Sequence, residues 1–479
     1  MQMKFDLWKH EDLKSRLRKR SNKEEGPPGI AAEIQARKTT QRSITSFIQV
    51  KERTVASELF DCSAPSPSST PGSPKEGASL SESNNQLCSS PNPERLDYGQ
   101  QTKLTAFFKC SEEFTSRAET PKENTSNKQA SPEFTCRSKS RECPFYKFIP
   151  GTSCVVDAFM YGYVPQVKMY FLTHFHSDHY SGLNRRFTMP IYCSKVTAKL
   201  VALKLKVAQR FLRVLELDQW STLPDGTAVM AINANHCPGA VMFIFKTKRG
   251  ELILHTGDFR AEDTVVQNSI WEQVRIDLLF LDTTYCDPAY VFPEQHKVIA
   301  EALAFIQAKM QTHPNLLIVI GAYVIGKERI FAAVAEALDC KICVERPKLQ
   351  VLNCLEDAAL KTRLTLEKSD TFLHVMPMGS ITKKRLADYL KLYPNYKHVL
   401  GILPTGWQFR PRQCSLVVPF EGHETVTLLG VPYSEHSSYV ELKRFVQAIR
   451  PKRIIPTVNA SSKTSRSYML QTFSRWLEE

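Results

Sequence analysis

Short runs of β-branched and other apolar residues alternate with segments of helical spacing along residues 143–479. Two helices are predicted at residues 326–338 and 437–449, where apolar side chains recur at intervals of three or four. The strand-like runs lie at residues 168–173, 251–256, 276–282, 316–320 and 453–458. Strands that alternate with helices in this way predict an α/β fold.

Residues 1–142 have a different pattern. Residues 62–95 consist largely of serine and proline and contain almost no aromatic or β-branched side chains. Such a segment buries too little apolar surface to offset the entropy lost on ordering. We therefore predict that residues 1–142 form a disordered arm in front of a folded body.

Composition narrows the class of protein. The chain has 479 residues, of which 42% are hydrophobic and 23% charged, so a wholly disordered chain is excluded. A membrane-spanning helix needs about 18 consecutive apolar residues, and the sequence has neither such a run nor a signal-peptide core. We expect a non-secreted protein that does not enter a membrane.

The formal net charge of +14 predicts a polyanionic partner. Charge alone does not distinguish nucleic acid from an anionic membrane surface as that partner.

Four metal-ligand side chains follow one buried strand. The segment YFLTHFHSDHYSGL at residues 170–183 carries His174, His176, Asp178 and His179. A lone His-x-His pair is more often a surface or core feature, but four such groups within six residues are hard to explain as packing. Imidazole nitrogens and carboxylate oxygens suit zinc or manganese better than calcium. The segment therefore predicts a metal site.

Two further candidates lie downstream, each at the end of a strand-like run. His236 stands in NANHCPG, and Asp258 stands in ILHTGDFR. A carboxylate in such a position is able to bridge two metal ions, whose usual separation is about 3.5–4 Å. The predicted ligand set thus extends to these two residues.

These motifs, together with LDTTYC and YSEHSS, resemble the metallo-β-lactamase fold, specifically its nucleic-acid-processing β-CASP branch. Asp157, the 174–179 segment, His236 and Asp258 match the four motifs of the fold. The resemblance covers residues 143–479 and is closest to DNA interstrand cross-link repair 5′ exonucleases. It implies an αββα sandwich with an inserted β-CASP domain. The implied divisions are a first metallo-β-lactamase part at 143–294, the insertion at 295–420 and a second part at 421–479.

The resemblance also extends to the additional motifs of the β-CASP branch. Asp282 matches its acidic motif and His436 its histidine. The third additional motif falls at Val458, where RNA-processing members carry histidine and DNA-processing members carry valine. The resemblance therefore favours DNA over RNA as substrate.

The expected chemistry is metal-assisted hydrolysis of a phosphodiester. We assign one metal ion to His174, His176, His236 and Asp258, and a second to Asp178, His179 and the shared Asp258. Zn²⁺ is expected at one or both positions, with Mg²⁺ or Mn²⁺ as alternatives at the second.

Three residues are assigned catalytic roles beside the metal ligands. Asp178, if it is not a full ligand, orients the attacking water or accepts its proton. By resemblance, His436 contacts the scissile phosphate or the leaving oxygen, and Asp282 orients a ligand histidine.

The predicted DNA contacts lie in and around the insertion. Residues 295–420 hold 17 Lys and Arg against 10 Asp and Glu, a net +7 that suits a phosphate chain, although a solvated basic surface is the ordinary alternative. Glycine-containing loops with small hydroxyl side chains suit a terminal phosphate. The candidate phosphate contacts are Lys327, Thr405, Gly406, Ser434 and Ser437.

The arm carries a candidate partner motif. Gln101, Leu104, Phe107 and Phe108 fit the pattern of peptides that bind the replication sliding clamp PCNA. Residues 41–48 are a weaker copy without the second aromatic residue. The basic run at residues 14–20 is either a nuclear import signal or a solvated charged segment.

These observations together predict a metal-dependent 5′-to-3′ DNA exonuclease. We expect it to act on 5′-phosphorylated ends in interstrand cross-link repair, as a monomer in the nucleus. The alternatives are a structure-specific DNA or RNA endonuclease of the same superfamily, a small-molecule hydrolase of the β-lactam type, and an inactive scaffold tethered to the clamp.

Overall fold

A computed structural model of the chain describes residues 142–406, 418–422 and 425–479. The predicted arm, its two clamp-like motifs and the basic run at residues 14–20 lie outside the described residues. In the described part of the chain, no helix is long and apolar enough to span a membrane.

The described residues form 17 strands in chain order. They are β1 Cys154–Val156, β2 Met169–Phe171, β3 Ile191–Cys193, β4 Leu212–Val214, β5 Trp220–Thr222, β6 Ala228–Asn233, β7 Val241–Lys246, β8 Leu252–His255, β9 Leu278–Leu281, β10 Leu316–Ala322, β11 Ile342–Cys343, β12 Leu364–Thr365, β13 Leu373–Pro377, β14 His398–Pro404, β15 Val418–Gly422, β16 Val426–Val431 and β17 Arg453–Pro456. The five predicted strand runs coincide with β2, β8, β9, β10 and β17.

Helices connect these strands. They are α1 Ser177–Tyr180, α2 Lys195–Leu200, α3 Asp263–Val266, α4 Ile270–Gln273, α5 Gln295–Thr312, α6 Glu328–Ala337, α7 Arg346–Leu352, α8 Ala358–Thr362, α9 Lys383–Leu390, α10 Tyr439–Ile449 and α11 Lys463–Glu478. The two predicted helices are α6 and α10. Helix α10 begins at Ser438, whose hydroxyl accepts from the Glu441 N–H while the Glu441 carboxylate accepts from the Ser438 N–H. This reciprocal capping box satisfies two donors that the first helical turn leaves free.

The strands form three sheets. The order is β1-β2-β3-β4 in the first, β17-β9-β8-β7-β6-β5 in the second and β12-β11-β13-β10-β14-β16-β15 in the third. The first sheet is parallel throughout, and the third is parallel except for the antiparallel pair β15–β16. Strand β17 returns beside β9, so the last strand of the chain completes the second sheet.

A shared apolar layer joins the first two sheets. Phe171 of the first sheet lies 5.1 Å from Phe243 and 4.9 Å from Phe245 of the second, measured between ring centroids. All three are buried, and each phenylalanine so buried contributes about 1.5–3 kcal/mol. The opposite faces of the same sheets pack against helices such as α10 through Phe445. Helices thus cover a double sheet, and the predicted αββα sandwich is confirmed.

The third sheet is the inserted region. It is built from residues 316–431, between β9 and β17 of the second sheet. Strand β16 pairs with β14 and lies past residue 420, where the sequence analysis placed the return to the first domain. The division at 420 stays a prediction, while the sheet itself continues to Val431.

Candidate metal centre

The metal-ligand candidates stand just after strands whose ends meet at one edge of the sandwich. His174 follows β2, His236 follows β6, Asp258 follows β8 and Asp282 follows β9. The two sheets are joined at this edge by the Val241 N–H, which donates to the Thr173 carbonyl at 3.0 Å. The hydrogen-bonded strand ends hold the backbone that carries each of these donors.

A close backbone approach brings Asp258 toward the histidines. Gly257 has φ 54°, and a Cβ placed there would lie 2.7 Å from the Cβ of Thr173. Only glycine accommodates both the left-handed backbone and this contact. The glycine of the GDFR motif therefore allows the β8 turn to pass directly over the β2 turn.

The first donor group consists of His174, His176, His236 and Asp258. His176 Nδ1 lies 3.0 Å from His174 Nε2 and 3.1 Å from His236 Nε2. Asp258 Oδ2 lies 3.7 Å from His174 Nε2 and 3.8 Å from His236 Nε2. Ligands about 2.0–2.1 Å from a tetrahedral zinc ion stand roughly 3.3 Å apart. The four atoms therefore have the spacing of ligands to one metal ion.

A second donor group shares Asp258 and consists of that residue with Asp178 and His179. His179 Nε2 lies 3.2 Å from Asp258 Oδ2 and 3.6 Å from Asp178 Oδ2. The Asp178 side chain is 72% exposed, whereas that of Asp258 is 10% exposed. The second group therefore opens to solvent through Asp178. Both predicted ligand sets are brought together by the fold.

A third group places Asp258 with Asp282 and His436. His436 Nδ1 lies 2.9 Å from Asp282 Oδ2, and its Nε2 lies 3.9 Å from Asp258 Oδ2. Burial alone would lower the pKa of His436, but Asp282 and Asp258 outweigh it and raise that pKa to about 9. Asp282 is thus bonded to His436 and to none of the first-group imidazoles.

Main-chain carbonyls orient two of the first-group histidines. His176 Nε2 lies 3.1 Å from the Ile325 carbonyl, and His236 Nδ1 lies 2.7 Å from the Glu435 carbonyl. A carbonyl only accepts, so the hydrogen of each neutral ring must sit on that outer nitrogen. The inner nitrogen, which faces the cluster, then carries the free lone pair that a metal requires.

A carboxylate and a hydroxyl orient the other two imidazoles. Asp157 Oδ2 accepts from His179 Nδ1 at 2.7 Å and from the Thr173 hydroxyl at 2.8 Å. The Thr173 oxygen in turn lies 2.9 Å from His174 Nδ1 and accepts its hydrogen. Asp157 thereby fixes the inner nitrogens of both His174 and His179 as acceptors. Asp157 joins no donor group and instead anchors the loop that carries these histidines.

For the three imidazoles of the first donor group, the electrostatics agree with this arrangement. Burial lowers the pKa of His174, His176 and His236, so these imidazoles are neutral at pH 7. The pKa of Asp157 is lowered to about 2, because His179 outweighs the opposing effect of burial. Neutral imidazoles beside ionised carboxylates are the protonation states that metal binding needs. The residues present therefore fit a divalent transition-metal centre.

The predicted phosphate contacts lie on loops near the cluster, but their polar groups have protein partners. The Lys327 ammonium is buried 3.1 Å from Glu435 Oε2. Ser434 Oγ donates to the His436 carbonyl, and Ser437 Oγ donates to the Phe259 carbonyl, each at 2.9 Å. These three side chains hold the loop that carries His436. Their contact with a substrate stays a prediction.

Thr405 and Gly406 lie at the end of β14. The Thr405 N–H donates to the Val431 carbonyl at 2.9 Å. A Cβ at Gly406 would lie 3.2 Å from the Tyr285 hydroxyl and 3.4 Å from Ser434 Cβ. The fold therefore brings this loop beside the loop that carries His436.

The sequence analysis missed two residues that shape the site. Arg260 is fully buried; its Nε donates to Glu441 at 3.0 Å and its Nη1 to the Ser434 carbonyl at 2.6 Å. Glu435 supplies the carbonyl behind His236 and the partner of Lys327. Both stood in motifs already quoted, GDFR and YSEHSS. The available signal was a charged residue within two positions of a predicted site residue: Arg260 follows Asp258, and Glu435 precedes His436.

Comparison with known proteins agrees with the fold. A beta-lactamase superfamily domain matches residues 160–318, and a DNA repair metallo-beta-lactamase domain matches residues 358–462. The DNA cross-link repair 1A protein of Gallus gallus is 44% identical over 344 residues, which cover 71% of this chain and 35% of that protein. The DNA cross-link repair protein SNM1 of Arabidopsis thaliana is 42% identical over 342 residues, 70% of each chain.

A third relative carries an activity in its name. The 5′ exonuclease Apollo of Gallus gallus is 34% identical over 310 residues, which cover 65% of this chain and 63% of that protein. The chain spans only about a third of the length of the cross-link repair 1A relatives from Gallus gallus and Homo sapiens.

Proposed function

Because the chain belongs to the DNA cross-link repair family of metallo-β-lactamase proteins, we propose that it is a metal-dependent nuclease that removes nucleotides from the 5′ end of DNA. The proposed biological role is the repair of interstrand cross-links, and the proposed substrate end carries a 5′ phosphate. The name of the Apollo relative supports the polarity, and the names of the SNM1 and 1A relatives support the role.

One observation carries the proposal. In each of the two metal groups, every imidazole donates its outer N–H and turns its inner nitrogen toward Asp258. Histidines that only fill a core or a surface need not all carry their hydrogen on the nitrogen that faces away from the cluster. The arrangement is that of a site built to bind metal ions.

The donor chemistry supports zinc at the first group, because three imidazoles and one carboxylate are typical zinc ligands. The second group has two carboxylates and one imidazole, which also suits Mn²⁺ or Mg²⁺. When bound, divalent ions at these positions would neutralise charge on phosphoryl oxygens and lower the pKa of a coordinated water.

The remaining catalytic and positioning roles fall to side chains of the protein. Asp178 is exposed at the open side of the second group and would orient the attacking water or accept its proton. His436, held through Nδ1 by Asp282, turns Nε2 toward the centre and would donate to the phosphate or the leaving oxygen. Asp282 fixes that orientation as a positioning residue.

The DNA would run along the inserted region. Its net +7 between residues 295 and 420 supports contacts with a phosphate chain. Thr405 and Gly406, beside the loop of Ser434 and Ser437, are the proposed neighbours of the terminal phosphate. Lys327 would contribute positive charge from beneath that loop.

The decisive experiment uses single-stranded DNA labelled at its 3′ end, with either a 5′ phosphate or a 5′ hydroxyl. We expect the labelled strand to shorten one nucleotide at a time from its 5′ end, faster when that end is phosphorylated, and we expect little cleavage of RNA of the same sequence. The Asp178→Ala variant is the control for contaminating nucleases. Release from the 3′ side, or cuts in circular strands as fast as in linear ones, would assign the site to an exonuclease of opposite polarity or to an endonuclease.

We also propose that the arm recruits the enzyme to the sliding clamp PCNA in the nucleus. Support comes from the sequence alone, through the spacing of Gln101, Leu104, Phe107 and Phe108. The second motif at residues 41–48 is a weaker candidate for the same partner. The monomeric state likewise stays a prediction.

A further inference from the structure

We propose that Lys327 and Glu435 form a buried clasp through which the inserted region sets the metal affinity of the first donor group. The inference rests on the metal centre proposed above and concerns two positioning residues rather than ligands. It gives Lys327 a role that does not depend on contact with DNA.

The first half of the clasp is the loop between β10 and α6. The carbonyl of Ile325 in this loop lies 3.1 Å from the outer nitrogen of His176. Gly326, with φ 106°, follows; a Cβ there would lie 3.6 Å from His176 Nε2 and 3.0 Å from Glu435 Oε2. The loop therefore passes close behind one metal histidine, with no room for a side chain.

The second half of the clasp is the segment before α10. Glu435 offers its carbonyl to His236 Nδ1 at 2.7 Å, while its carboxylate contacts Lys327. Oε1 accepts from the Lys327 N–H at 2.8 Å, and Oε2 pairs with the Lys327 ammonium at 3.1 Å. One residue thus orients His236 directly and holds the loop that orients His176.

The burial of this pair distinguishes it from ordinary surface charges. The side chains of Lys327 and Glu435 are 7% and 6% exposed. Lys195 and Glu356 also join the first domain to the inserted region, at 2.6 Å, but they are 56% and 54% exposed and contact no ligand histidine. An exposed pair contributes little, whereas a buried charge left without its partner is strongly destabilising. The two pairs therefore form a matched comparison.

The test measures metal affinity without DNA. The double variant Lys327→Met with Glu435→Ala removes both arms of the clasp and leaves no buried charge unpaired. The full-length protein, loaded with Zn²⁺, is dialysed against a graded series of chelator concentrations, and retained zinc is measured by mass spectrometry. The control variant carries Lys195→Met with Glu356→Ala.

We expect the clasp variant to bind zinc more weakly, approaching the roughly 10–100-fold that is typical when a partner behind a metal ligand is lost, because the Ile325 and Glu435 carbonyls remain but lose the side-chain contacts that hold them in place. The single variant Lys327→Arg keeps the positive charge and leaves Glu435 in place, so it should retain most of the wild-type zinc affinity. The control variant should bind zinc as tightly as the wild type. A folded clasp variant with wild-type zinc affinity would overturn the inference. Cleavage of DNA plays no part in this readout, so failure of the proposed nuclease activity would be seen separately.

A measurement on the unmodified protein covers the case in which the clasp variant fails to fold. Long-range ¹H–¹⁵N spectra of the zinc-loaded protein report which ring nitrogen carries hydrogen. We expect His176 to be protonated at Nε2 and coordinated through Nδ1, and His236 to show the opposite arrangement. Coordination of His176 through Nε2 would detach it from the Ile325 carbonyl and refute the clasp.

Discussion

Replacement of Asp157 by asparagine should weaken the binding of both metals about 10–100-fold while leaving the fold in place. The carboxylate accepts from the Thr173 N–H at 2.9 Å, from the Thr173 hydroxyl at 2.8 Å and from His179 Nδ1 at 2.7 Å. Asparagine has the same shape but places an NH₂ group where one oxygen stood. If its oxygen keeps the bond to the Thr173 N–H, the NH₂ faces His179 and the Thr173 hydroxyl.

The consequence spreads through the hydrogen-bond chain. His179 Nδ1 must then accept, which moves its hydrogen to Nε2, the atom that faces the metal. The Thr173 oxygen accepts from the new NH₂ and turns its own hydrogen to His174 Nδ1, so His174 changes tautomer as well. The first donor group thereby loses the metal-facing lone pair of His174, and the second loses that of His179.

The expected loss follows from the number of ligands affected. A disrupted partner behind one metal ligand weakens binding about 10–100-fold, which equals about 1.4–2.8 kcal/mol. We expect each metal to be weakened by that amount. The unfolding free energy of the metal-free protein should fall by only about 1–3 kcal/mol, the cost of imperfect hydrogen bonds to a buried group.

The assay combines zinc retention against graded chelator with thermal unfolding. Asp225→Asn is the matched control, because Asp225 accepts from the Ser153 N–H at 3.1 Å and hydroxyl at 2.8 Å but contacts no histidine. The control should lose some stability and no metal affinity. Equal zinc affinity in wild type and Asp157→Asn would show that tautomer control by this carboxylate is not what holds the metals.

Three further predictions concern catalysis and recruitment. Asp178→Ala should reduce DNA cleavage by at least about 100-fold with an unchanged melting temperature, since its exposed side chain packs against little; wild-type rates would remove it from the mechanism. Asp282→Asn should lower the cleavage rate through misorientation of His436 while bound zinc stays the same, so a parallel loss of zinc would instead make Asp282 a ligand. Replacing Phe107 and Phe108 with alanine should leave cleavage of free DNA unchanged and weaken PCNA binding in calorimetric titration; equal heats for both proteins would reduce the motif to a chance match.

The residues of the candidate metal centre were predictable from the sequence because their signal is local. Each donor follows an apolar run that ends in a turn, and residues 174–179 carry four donors in six positions. The periodicity that predicted β2, β8 and β9 therefore also predicted where His174, Asp258 and Asp282 would converge. The prediction that these residues lie close together has a physical basis, because strands that end at a common sheet edge bring the residues after them together.

The groups that hydrogen-bond the outer nitrogens of the histidines could not be predicted from the sequence. The groups behind His176 and His236 are main-chain carbonyls, which every residue possesses, so no residue type marks Ile325 or Glu435 for this task. The same limit applies to Ser434 and Ser437. Their composition suited a phosphate, yet the Ser434 hydroxyl donates to the His436 carbonyl in its own loop and the Ser437 hydroxyl donates to the Phe259 carbonyl.

The position of Glu435 and His436 in the chain has a consequence for biosynthesis. His436 meets Asp282 across 154 residues, and Glu435 meets His236 across 199. A nascent chain on the ribosome can therefore pair β1 to β9 well before either residue has been translated, and such distant contacts form late and slowly. Strand β17, which docks beside β9, is translated later still. A prematurely terminated polypeptide that lacks residues 432–479 would carry most of the histidines but neither His436 nor the carbonyl behind His236. We therefore expect such a truncated polypeptide to be unable to cleave DNA, because it lacks the residue proposed to contact the scissile phosphate.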